Sequence, residues 1–555
     1  MPEIKDNPKI IDDFSGGILK DVSMFKMPEE VVPHAINFVF DEEIGSAKLR
    51  KGTAMVGSQI INDKAVLGLT NLRRRGDTKH VLLATLSDGT NNDIYNVVTG
   101  AKITGWTDDT KDIKTRFCQF LDSVVRVNGT DSAESYNGTT VITTGGVFDL
   151  ANMPKGDFVL NYKDRVHVLT DAGLLYSSSI PRFFLDYDAQ SSNFTEDDTL
   201  TGGTSGATGI IRNDTDAGAA GTLELTGVSG TFQDNETITD PSGGSADVKG
   251  AGTFKINWLN GSISTAIDPD NGDKGKATGL GKIGGLMLIF FERAMYSWNS
   301  VSTEADELVG IGCSSSESIA VDKNSGLLFF ANKDGAFITR GGYPQKISRF
   351  VQPYFDNMAS SNYQHIAGGC DGQHYFCSLG DVTIDKKTVE NVVVRYTIQS
   401  QEWAVLSYPT QPRVFSSYIS GTDVKLVYGD DDGNVIEIDS SDENDNYAAV
   451  TDVPINYELD MNDIWQPLLG IKKSIQNKIV VLSEDSSGAK FLFRVDSIDE
   501  ENWKPVGEIK KNIHIFKQFN IKKFHYLRFR IQGRSTCGRL LIRGIEIPSI
   551  LLHGY

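Results

Sequence analysis

A short pattern recurs through the middle of the chain and constrains its fold more than any other feature. The pattern is an apolar strand, a tight polar turn that usually contains glycine, and a second strand that ends in an aromatic residue. Such runs, bounded by turn residues, are typical of short β-strands joined by hairpins, so the chain is predicted to be all-β. The copies lie at 81–95, 166–176, 286–298, 327–337, 374–403 and 424–435.

The spacing of these hairpins predicts how the strands are arranged. With one atypical segment set aside, they recur about every 40 to 60 residues, close to the length of a four-stranded propeller blade. Radial repetition of small sheets also protects their edges from unwanted pairing. We therefore predict a β-propeller-like body of about six blades over 63–192 and 256–450. A pair of stacked β-sandwiches is the alternative, because no blade carries a WD or kelch signature.

The atypical segment, 193–255, is rich in glycine, threonine, serine and alanine, and it is internally duplicated. A run that begins at Phe194 matches a second run that begins at Phe232, 38 positions later. Exposed loops tolerate insertions of this size. We predict a small β-barrel or β-sandwich module inserted in a loop of the body, where it could contact the host or a neighbouring subunit, or serve as surface decoration.

The C-terminal segment, 451–555, differs from the rest in charge. Eleven lysines and arginines stand against the single acidic residue Glu508 between positions 504 and 543, whereas the whole chain has a formal net charge of −19. Alternating apolar residues predict a β-sandwich-like unit. A subunit that is acidic over most of its body and basic at its C-terminal unit favours contacts with other copies of itself. The candidate interface is the basic cluster Lys522, Lys523, Arg528, Arg530 and Arg543.

We find no pattern typical of an enzyme, a metal site or a cofactor site. The chain lacks H-E-x-x-H, G-x-S-x-G and Walker-type sequences, and its acidic turns at 268–273 and 430–433 lack the spacing of a calcium loop. Five cysteines without metal-type spacing predict free buried thiols. No apolar run approaches the roughly 20 residues that a membrane-spanning helix needs, and no secretory signal is predicted.

The first 62 residues, predicted to be an N-terminal arm with the first strands, carry a set of short motifs in a fixed order. They are Asp13-Phe-Ser-Gly-Gly17, Met27-Pro-Glu, His34-Ala-Ile-Asn37 with Asp41, and Lys48-Leu-Arg-Lys-Gly52. This order resembles the start of many phage tail and nozzle proteins. Glycine permits a turn here and the apolar residues can add to a sheet, so we predict an assembly arm that includes Phe14, Gly16, Gly17 and Asn37. Strand pairing within the same chain is an equal alternative.

The resemblance implies a structural virion protein. In short-tailed phages such subunits carry a propeller and form a ring, typically a hexamer, that prolongs the tail below the portal and adaptor and stands beside tail fibre proteins. We therefore expect a tail nozzle or tail-tube subunit, assembled in the host cytoplasm, whose acidic wall retains viral DNA and then lets it slide past. The alternative is a tail-associated receptor-binding protein or a propeller polysaccharide depolymerase.

Overall fold

The structure is a computed structural model, and it describes most of the chain. The described residues are 4–6, 8–20, 26–74, 80–107, 109–258, 274–300, 305–420, 423–448, 450–464, 472–475, 478–485, 488–497, 502–510, 512–517, 519–535, 539–548 and 550–553. In these residues the regular structure is almost entirely strand, with one α-helix, α1 (Gln352–Asp356), and three short 3-10 turns. The prediction of an all-β chain is confirmed.

Six short strands come first in the chain, and most of them pair with residues far away in sequence. They are β1 (Ile4–Asp6), β2 (Lys9–Ile11), β3 (His34–Ile36), β4 (Phe38–Val39), β5 (Ala47–Leu49) and β6 (Ala54–Met55).

Three small antiparallel sheets follow, each built from consecutive strands. Blade 1 contains β7 (Val66–Leu72), β8 (Val81–Ser87), β9 (Asn91–Asn96) and β10 (Asp109–Thr110). Blade 2 contains β11 (Arg116–Phe120), β12 (Ser123–Val127), β13 (Glu134–Tyr136) and β14 (Val141–Ile142). Blade 3 has three strands, β15 (Phe158–Tyr162), β16 (Arg165–Leu169) and β17 (Leu175–Ser177).

The inserted module follows blade 3 in the chain, at the position in sequence where a fourth strand of that blade would be expected. It contains β18 (Arg182–Ser192), β19 (Thr199–Gly202), β20 (Thr208–Asp216), β21 (Gly221–Ser229), β22 (Thr237–Thr239), β23 (Ser245–Val248) and β24 (Thr253–Lys255). Strand β18 pairs with both β21 and β23, so six strands close into a barrel. The barrel encloses its own apolar core, which includes Leu200, Leu223 and Ile238.

Four further blades complete the body. Blade 4 contains β25 (Ala277–Ile283), β26 (Leu286–Phe291), β27 (Met295–Trp298) and β28 (Asp306–Val309). Blade 5 contains β29 (Ala320–Asp322), β30 (Leu327–Asn332), β31 (Gly335–Thr339) and β32 (Gln345–Lys346). Blade 6 contains β33 (Ala367–Cys370), β34 (His374–Ile384), β35 (Lys387–Thr397) and β36 (Trp403–Ser407). Blade 7 contains β37 (Val414–Ser420), β38 (Asp423–Gly429), β39 (Val435–Glu437) and the N-terminal β6.

The seven sheets close into a ring around one axis. The first strand of each blade lies beside the first strand of the next, in the order β7, β11, β15, β25, β29, β33 and β37, and β37 lies beside β7 again. Because β6 completes blade 7, the ring is closed by strands from opposite ends of the body. The propeller-like fold is confirmed, and the described residues form seven blades where about six were predicted.

The blade that was not predicted is blade 2, although its β12–β13 hairpin carries the same pattern, with Gly129 in the turn and Tyr136 at the end of the second strand. Blade 2 turns from β11 to β12 at Leu121 and Asp122, both with positive φ, 45° and 58°. Two residues in this conformation form the tight hairpin turn that matches strand twist. Lys163 and Asp164 make the same turn in blade 3, again without glycine.

The C-terminal unit is made of strands from both ends of the chain. After the hairpin β40 (Asp445–Tyr447) and β41 (Val450–Val453), it contains β42 (Asn456–Asp460), β43 (Lys472–Ile475), β44 (Lys478–Glu484), β45 (Ala489–Val495), β46 (Lys504–Ile509), β47 (Ile513–Lys517), β48 (Ile521–Phe524), β49 (Leu527–Arg534), β50 (Leu541–Ile547) and β51 (Ile550–His553). Its sheets run β1-β51-β43-β48, β4-β5-β50-β44-β47 with β2 also on β50, and β3-β42-β49-β45-β46. The predicted boundary at residue 62 therefore separates strands that share sheets with 451–555.

One apolar core joins the propeller to the C-terminal unit. It includes Phe329 of blade 5 and Val393 of blade 6, Phe38 of the N-terminal segment, and Phe491 and Ile545 of the C-terminal sheets, all of them fully buried. Because a large apolar interface opposes relative motion of domains, the two lobes form a single packed body.

Candidate functional site

The residues that carry the N-terminal motifs lie between blade 6 and the C-terminal sheets. We call residues 14–50 without the undescribed 21–25 the N-terminal clamp. Phe14 is 1% exposed and belongs to the shared core. The backbone amide of Ile18 donates to the carbonyl oxygen of Trp403 in blade 6, at 3.0 Å. This hydrogen bond attaches the first part of the clamp to the outer strand of blade 6.

The paired glycines allow the clamp to approach blade 6 closely. Gly17 has φ +64°, and a Cβ atom there would lie 2.8 Å from the carbonyl oxygen of Trp403. A Cβ atom on Gly16 would lie 2.5 Å from the side chain of Val31. Other residues therefore have neither the space nor, at position 17, the backbone freedom that this approach requires.

Asn37 connects three parts of the molecule. Its backbone amide donates to the carbonyl oxygen of Val405 at 2.9 Å, and its side-chain oxygen accepts from the backbone amide of Ser407 at 2.7 Å. The same oxygen accepts from Arg50 Nε at 3.0 Å, while its amide nitrogen donates to the carbonyl oxygen of Asn456 at 2.7 Å. The residue is 3% exposed, and its φ of 65° is one that asparagine tolerates better than most residues.

Arg50, from the Lys48-Leu-Arg-Lys-Gly52 motif, forms a buried ion pair with Asp445. Its two terminal nitrogens donate to the two carboxylate oxygens at 2.8 and 2.6 Å, and the side chains are 1% and 7% exposed. One of these nitrogens also donates to the carbonyl oxygen of Ser407, and the guanidinium stacks 4.6 Å from the ring centroid of Tyr408. The pair ties the clamp to the hairpin that leads into the C-terminal unit.

Asp41 forms a charged contact between the clamp and blade 6. His374 Nε2 lies 2.6 Å from Asp41 Oδ2, His374 Nδ1 lies 2.8 Å from Asp371 Oδ2, and Arg395 donates to Asp41. Burial opposes ionisation of Asp41, but the His374 hydrogen bond and the Arg395 charge hold its pKa well below the usual range. Burial likewise opposes protonation of His374, but its hydrogen bonds with Asp371 and Asp41 raise its pKa above 6.5.

These contacts decide between the two predictions for the N-terminal segment. Phe14, Gly16, Gly17 and Asn37 are used within the same chain, and β1 and β2 pair with β51 and β50. In the structure the N-terminal segment pairs within the same chain, so the predicted assembly arm is corrected to an internal clamp. The physical reason is that its apolar and polar groups both find partners in blade 6 and the C-terminal sheets.

The predicted basic interface is also largely used within the chain. Arg528 pairs with Asp463 at 2.5 Å, and Arg530 pairs with Asp460 at 2.5 Å while 5% exposed. Arg543, 44% exposed, donates to Glu43 and Glu484. The side chains of Lys522 and Lys523 lie outside the described residues. The C-terminal segment does contain an excess of lysine and arginine, but acidic residues from other segments of the same chain neutralise the three arginines of the cluster.

A second site lies on the propeller axis, at the end where the inner strands begin. We call it the channel mouth. It is a cavity of about 590 Å³ to which all seven blades contribute, because each inner strand starts at its rim. Charged side chains line the cavity, namely Asp112, Lys114, Arg116, Glu317, Arg413 and Asp431.

Arg116 and Arg413 both have fixed partners in the channel mouth. Arg116 Nε donates to Ser316 Oγ at 3.0 Å and lies 3.5 Å from Glu317 Oε1, and its guanidinium stacks 4.5 Å from the ring centroid of Phe158. Arg413 makes a two-point ion pair with Asp431. Sequence reasoning missed these residues because Arg116 is 200 positions from Ser316 and Arg413 is 18 positions from Asp431, so no local pattern connects each arginine with its partner.

The channel narrows below the mouth. A second cavity of about 180 Å³ is bordered by Leu69, Phe117, Leu280 and Phe415, which project from the inner strands of four different blades. Side chains therefore fill the propeller axis, as they do in other small closed β-structures.

Within the described residues, no group of three or more histidine, cysteine, aspartate or glutamate side chains is arranged to hold a metal ion. Cys118, Cys313, Cys370 and Cys377 are free thiols, the first, second and fourth of them buried, whereas Cys537 lies outside the described residues. The acidic turn 268–273 also lies outside them. The helix present in the described part of the chain is too short to cross a membrane.

Comparisons with known proteins give little beyond the fold. No protein-family model matches the chain, and no curated protein matches its sequence. Among similar solved structures is YCF48 from Cyanidioschyzon merolae, with 9% identity and a TM-score of 0.35, covering 70% of this chain and 98% of that one. Another is YCF48 bound to D1 peptide, with 8% identity and a TM-score of 0.35, covering 72% of this chain and 96% of that one. Overlaps this loose carry no argument about function.

Proposed function

We propose that this chain is a structural, non-catalytic subunit of a phage tail, of the nozzle or tail-tube kind. The observation that carries the proposal is the role of the N-terminal motifs. The residues through which the sequence resembles phage tail and nozzle proteins, among them Gly17, Asn37, Asp41 and Arg50, are the residues that clamp blade 6 to the C-terminal unit. Their task is mechanical, which suits a motif without catalytic chemistry.

A rigid body of this kind fits a wall that surrounds packaged DNA. Domains joined by small polar interfaces move relative to one another, whereas a large apolar interface holds them together. Here the propeller and the C-terminal unit share one core, and the clamp adds buried ion pairs across it. Such a subunit can transmit force from one lobe to the other without bending between them.

The DNA path in the proposed assembly lies between subunits. The cavity of about 180 Å³ that lies on the propeller axis is far too small for a duplex. DNA would therefore pass along the axis of a ring of subunits, six in the expected arrangement, and a chain with a net charge of −19 would repel phosphates rather than hold them. The portal, the adaptor and tail fibre proteins are the proposed neighbours in the virion tail, assembled in the bacterial cytoplasm.

The test is the mass of the full chain in solution, by light scattering, alone and mixed with the portal and adaptor of the same phage. Negative-stain images would be recorded in parallel. We expect rings with a central opening, formed by the chain alone or on the portal and adaptor template. A mixture without the adaptor is the matched control, since it separates self-assembly from templated assembly.

One outcome would overturn the proposal in favour of the receptor-binding or depolymerase class. It is a persistent monomer or trimer that does not join the portal and adaptor and that binds or cleaves host polysaccharide. A monomer that joins the template as a ring supports the proposal, because ring formation would then depend on the neighbour.

A further inference from the structure

A cleft lies between blades 5 and 6, at the end of the propeller opposite the channel mouth. It has a volume of about 500 Å³ and is bordered by the turns that follow β29, β31 and β35, which are strands that run away from the mouth. Much of its lining is apolar and includes Leu327, Ile338 and Ile398. Tyr343 also lines it and is 70% exposed. An apolar cleft beside an exposed aromatic ring is a surface that a partner can cover.

Two exposed cations, Arg340 and Lys323, lie in the turns that border this cleft. Arg340 belongs to the lining, and Lys323 shares the turn after β29 with the lining residue Ser325. Within the part of the chain that the structure describes, no carboxylate oxygen lies within 4.0 Å of either cation. Burial, and then the charge of Lys323, lower the pKa of Lys282 at the end of β25, so a third cation lies close by.

The acids next to the cleft lining are buried or already paired. Asp322 is 3% exposed and accepts hydrogen bonds from the backbone amides of the turn that follows it. Glu402 is 5% exposed. Asp371, in a neighbouring turn of blade 6, lies 2.8 Å from His374 Nδ1. The exposed charge at the cleft is therefore positive, in a chain whose net charge is −19.

The inserted barrel carries the opposite charge. Between positions 182 and 255 the chain has twelve aspartates and glutamates against four lysines and arginines. Glu196, Asp216 and Asp234 are exposed on its turns and strand ends, and Phe254 adds an apolar side chain that is 47% exposed. Surfaces of opposite charge with apolar groups between them attract and orient one another.

The barrel and the cleft are suitably placed for neighbours in a ring. The barrel follows blade 3, and Ile256, directly after its last strand, packs in one cluster with Val168 of that blade. Two and a half of the seven blades separate blade 3 from the cleft, about 130° of rotation about the propeller axis. The two contact surfaces of a subunit in a six-membered ring point about 120° apart. When the propeller and ring axes are parallel, each barrel can therefore reach the cleft of the next copy.

We propose that the cleft between blades 5 and 6 docks the acidic barrel of a second copy of this chain. Arg340 and Lys323 face acids of the neighbouring barrel, and Tyr343 with the aliphatic lining supplies the apolar contact. The contact joins two different surfaces, so it repeats from copy to copy and closes into a ring. This inference rests on the proposed ring of subunits and names the surfaces that hold neighbours together.

The test reverses the charge of each surface in the full chain. One variant carries Lys323→Glu with Arg340→Glu, and another carries Glu196→Lys, Asp216→Lys and Asp234→Lys. Assembly is followed by light scattering and negative stain, alone and on the portal and adaptor. We expect each variant to lose the rings or to need a roughly tenfold higher concentration to form them. Thermal midpoints close to that of the unchanged chain would show that the variants fold.

Two further variants complete the design. Lys333→Glu with Lys346→Glu is the matched control, because both lysines are exposed in blade 5 but lie outside the cleft lining, and it should assemble as the unchanged chain does. A chain with both sets of reversed charges restores the attraction between cleft and barrel, so it should recover rings.

The outcomes separate this contact from the proposed function. Rings that survive reversal of the cleft charges would overturn the contact alone, and so would equal loss of rings in the control. Rings that survive reversal of the barrel charges, or fail to recover in the combined variant, would overturn the barrel as the occupant. An unchanged chain that forms no ring, alone or on the portal and adaptor, would overturn the proposed function and this contact together.

Discussion

Arg50 and Asp445, 395 positions apart in the chain, form a buried ion pair through two hydrogen bonds of 2.8 and 2.6 Å. The pair joins the N-terminal clamp to the start of the C-terminal unit, beside blade 6. Most of the ionic contacts that hold the two lobes together have this long-range character, and their removal gives the sharpest tests of the clamp.

Replacing Asp445 with asparagine should strongly destabilise the fold. The buried guanidinium of Arg50 would lose its counter-charge, which typically costs about 3 to 5 kcal/mol of unfolding free energy. Urea unfolding followed by tryptophan fluorescence measures the change. Asp171→Asn is the matched control, since Asp171 pairs with Lys276 on the surface and both side chains are more than half exposed. Equal losses in the two variants would contradict a special role for the buried pair.

Two substitutions of Asn37 should separate its backbone role from its side-chain role. Asn37→Gly keeps the positive φ but removes three side-chain hydrogen bonds, so we expect a loss of roughly 2 to 4 kcal/mol in unfolding free energy. Asn37→Ala should lose more, because alanine also resists a φ of 65°. Thermal and urea unfolding measure both. A glycine variant as stable as the original chain would show that the side-chain bonds contribute nothing.

The stabilising effect of His374 should depend on pH. Its pKa is raised in the folded chain, so its contribution is fully present below the unfolded value of about 6.5 and is lost as pH rises through the folded value. His374→Gln should therefore cost most near pH 5, by about 1.5 to 3 kcal/mol, and less near pH 9. Unfolding free energies at pH 5, 7 and 9 check this. A cost that does not change with pH would contradict it.

Acid should weaken the same contact through Asp41. The pKa of this carboxyl is lowered in the folded chain, so the stability it contributes is present above the unfolded value of about 3.9 and is lost as pH falls. We expect Asp41→Asn to narrow the difference between the stability at pH 6 and that at pH 3. Urea midpoints at the two pH values measure it, with Glu390→Gln, an exposed acid of blade 6, as control. If Asp41→Asn left the difference between the urea midpoints at pH 6 and pH 3 unchanged, the result would contradict a stabilising role for this contact.

The inserted barrel should open locally when Glu236 is changed. Its carboxylate accepts hydrogen bonds from the backbone amides of Thr204, Ser205 and Gln233, and so joins the two duplicated halves. Glu236→Ala should cost on the order of 2 kcal/mol of local stability within 182–255. Hydrogen exchange followed by mass spectrometry measures it, with exposed Glu196→Ala as control. Faster exchange in blade 6 as well would show that the barrel and the body unfold together.

The sequence by itself determined the local and periodic features of this protein. Alternating strands with tight turns predicted an all-β chain and a propeller, because hairpin pairing depends on neighbouring residues and on side-chain alternation. The repeat of Phe194 at Phe232 predicted a compact module, and the structure has a closed barrel there. These predictions required no knowledge of long-range contacts.

Only the tertiary structure decided the blade count, the clamp and the channel mouth. Blade 7 takes its last strand from Ala54–Met55. The predicted arm finds its partners hundreds of residues away, and the basic cluster finds them between 59 and 500 positions away, as Arg543 does in Glu484 and Glu43. Lys114 and Arg413 line the same cavity because the seven inner strands begin at one end of a closed ring. The sequence pattern of a strand predicts which of its side chains are buried. It does not predict which distant segment packs against them, because many segments of similar polarity could pack there.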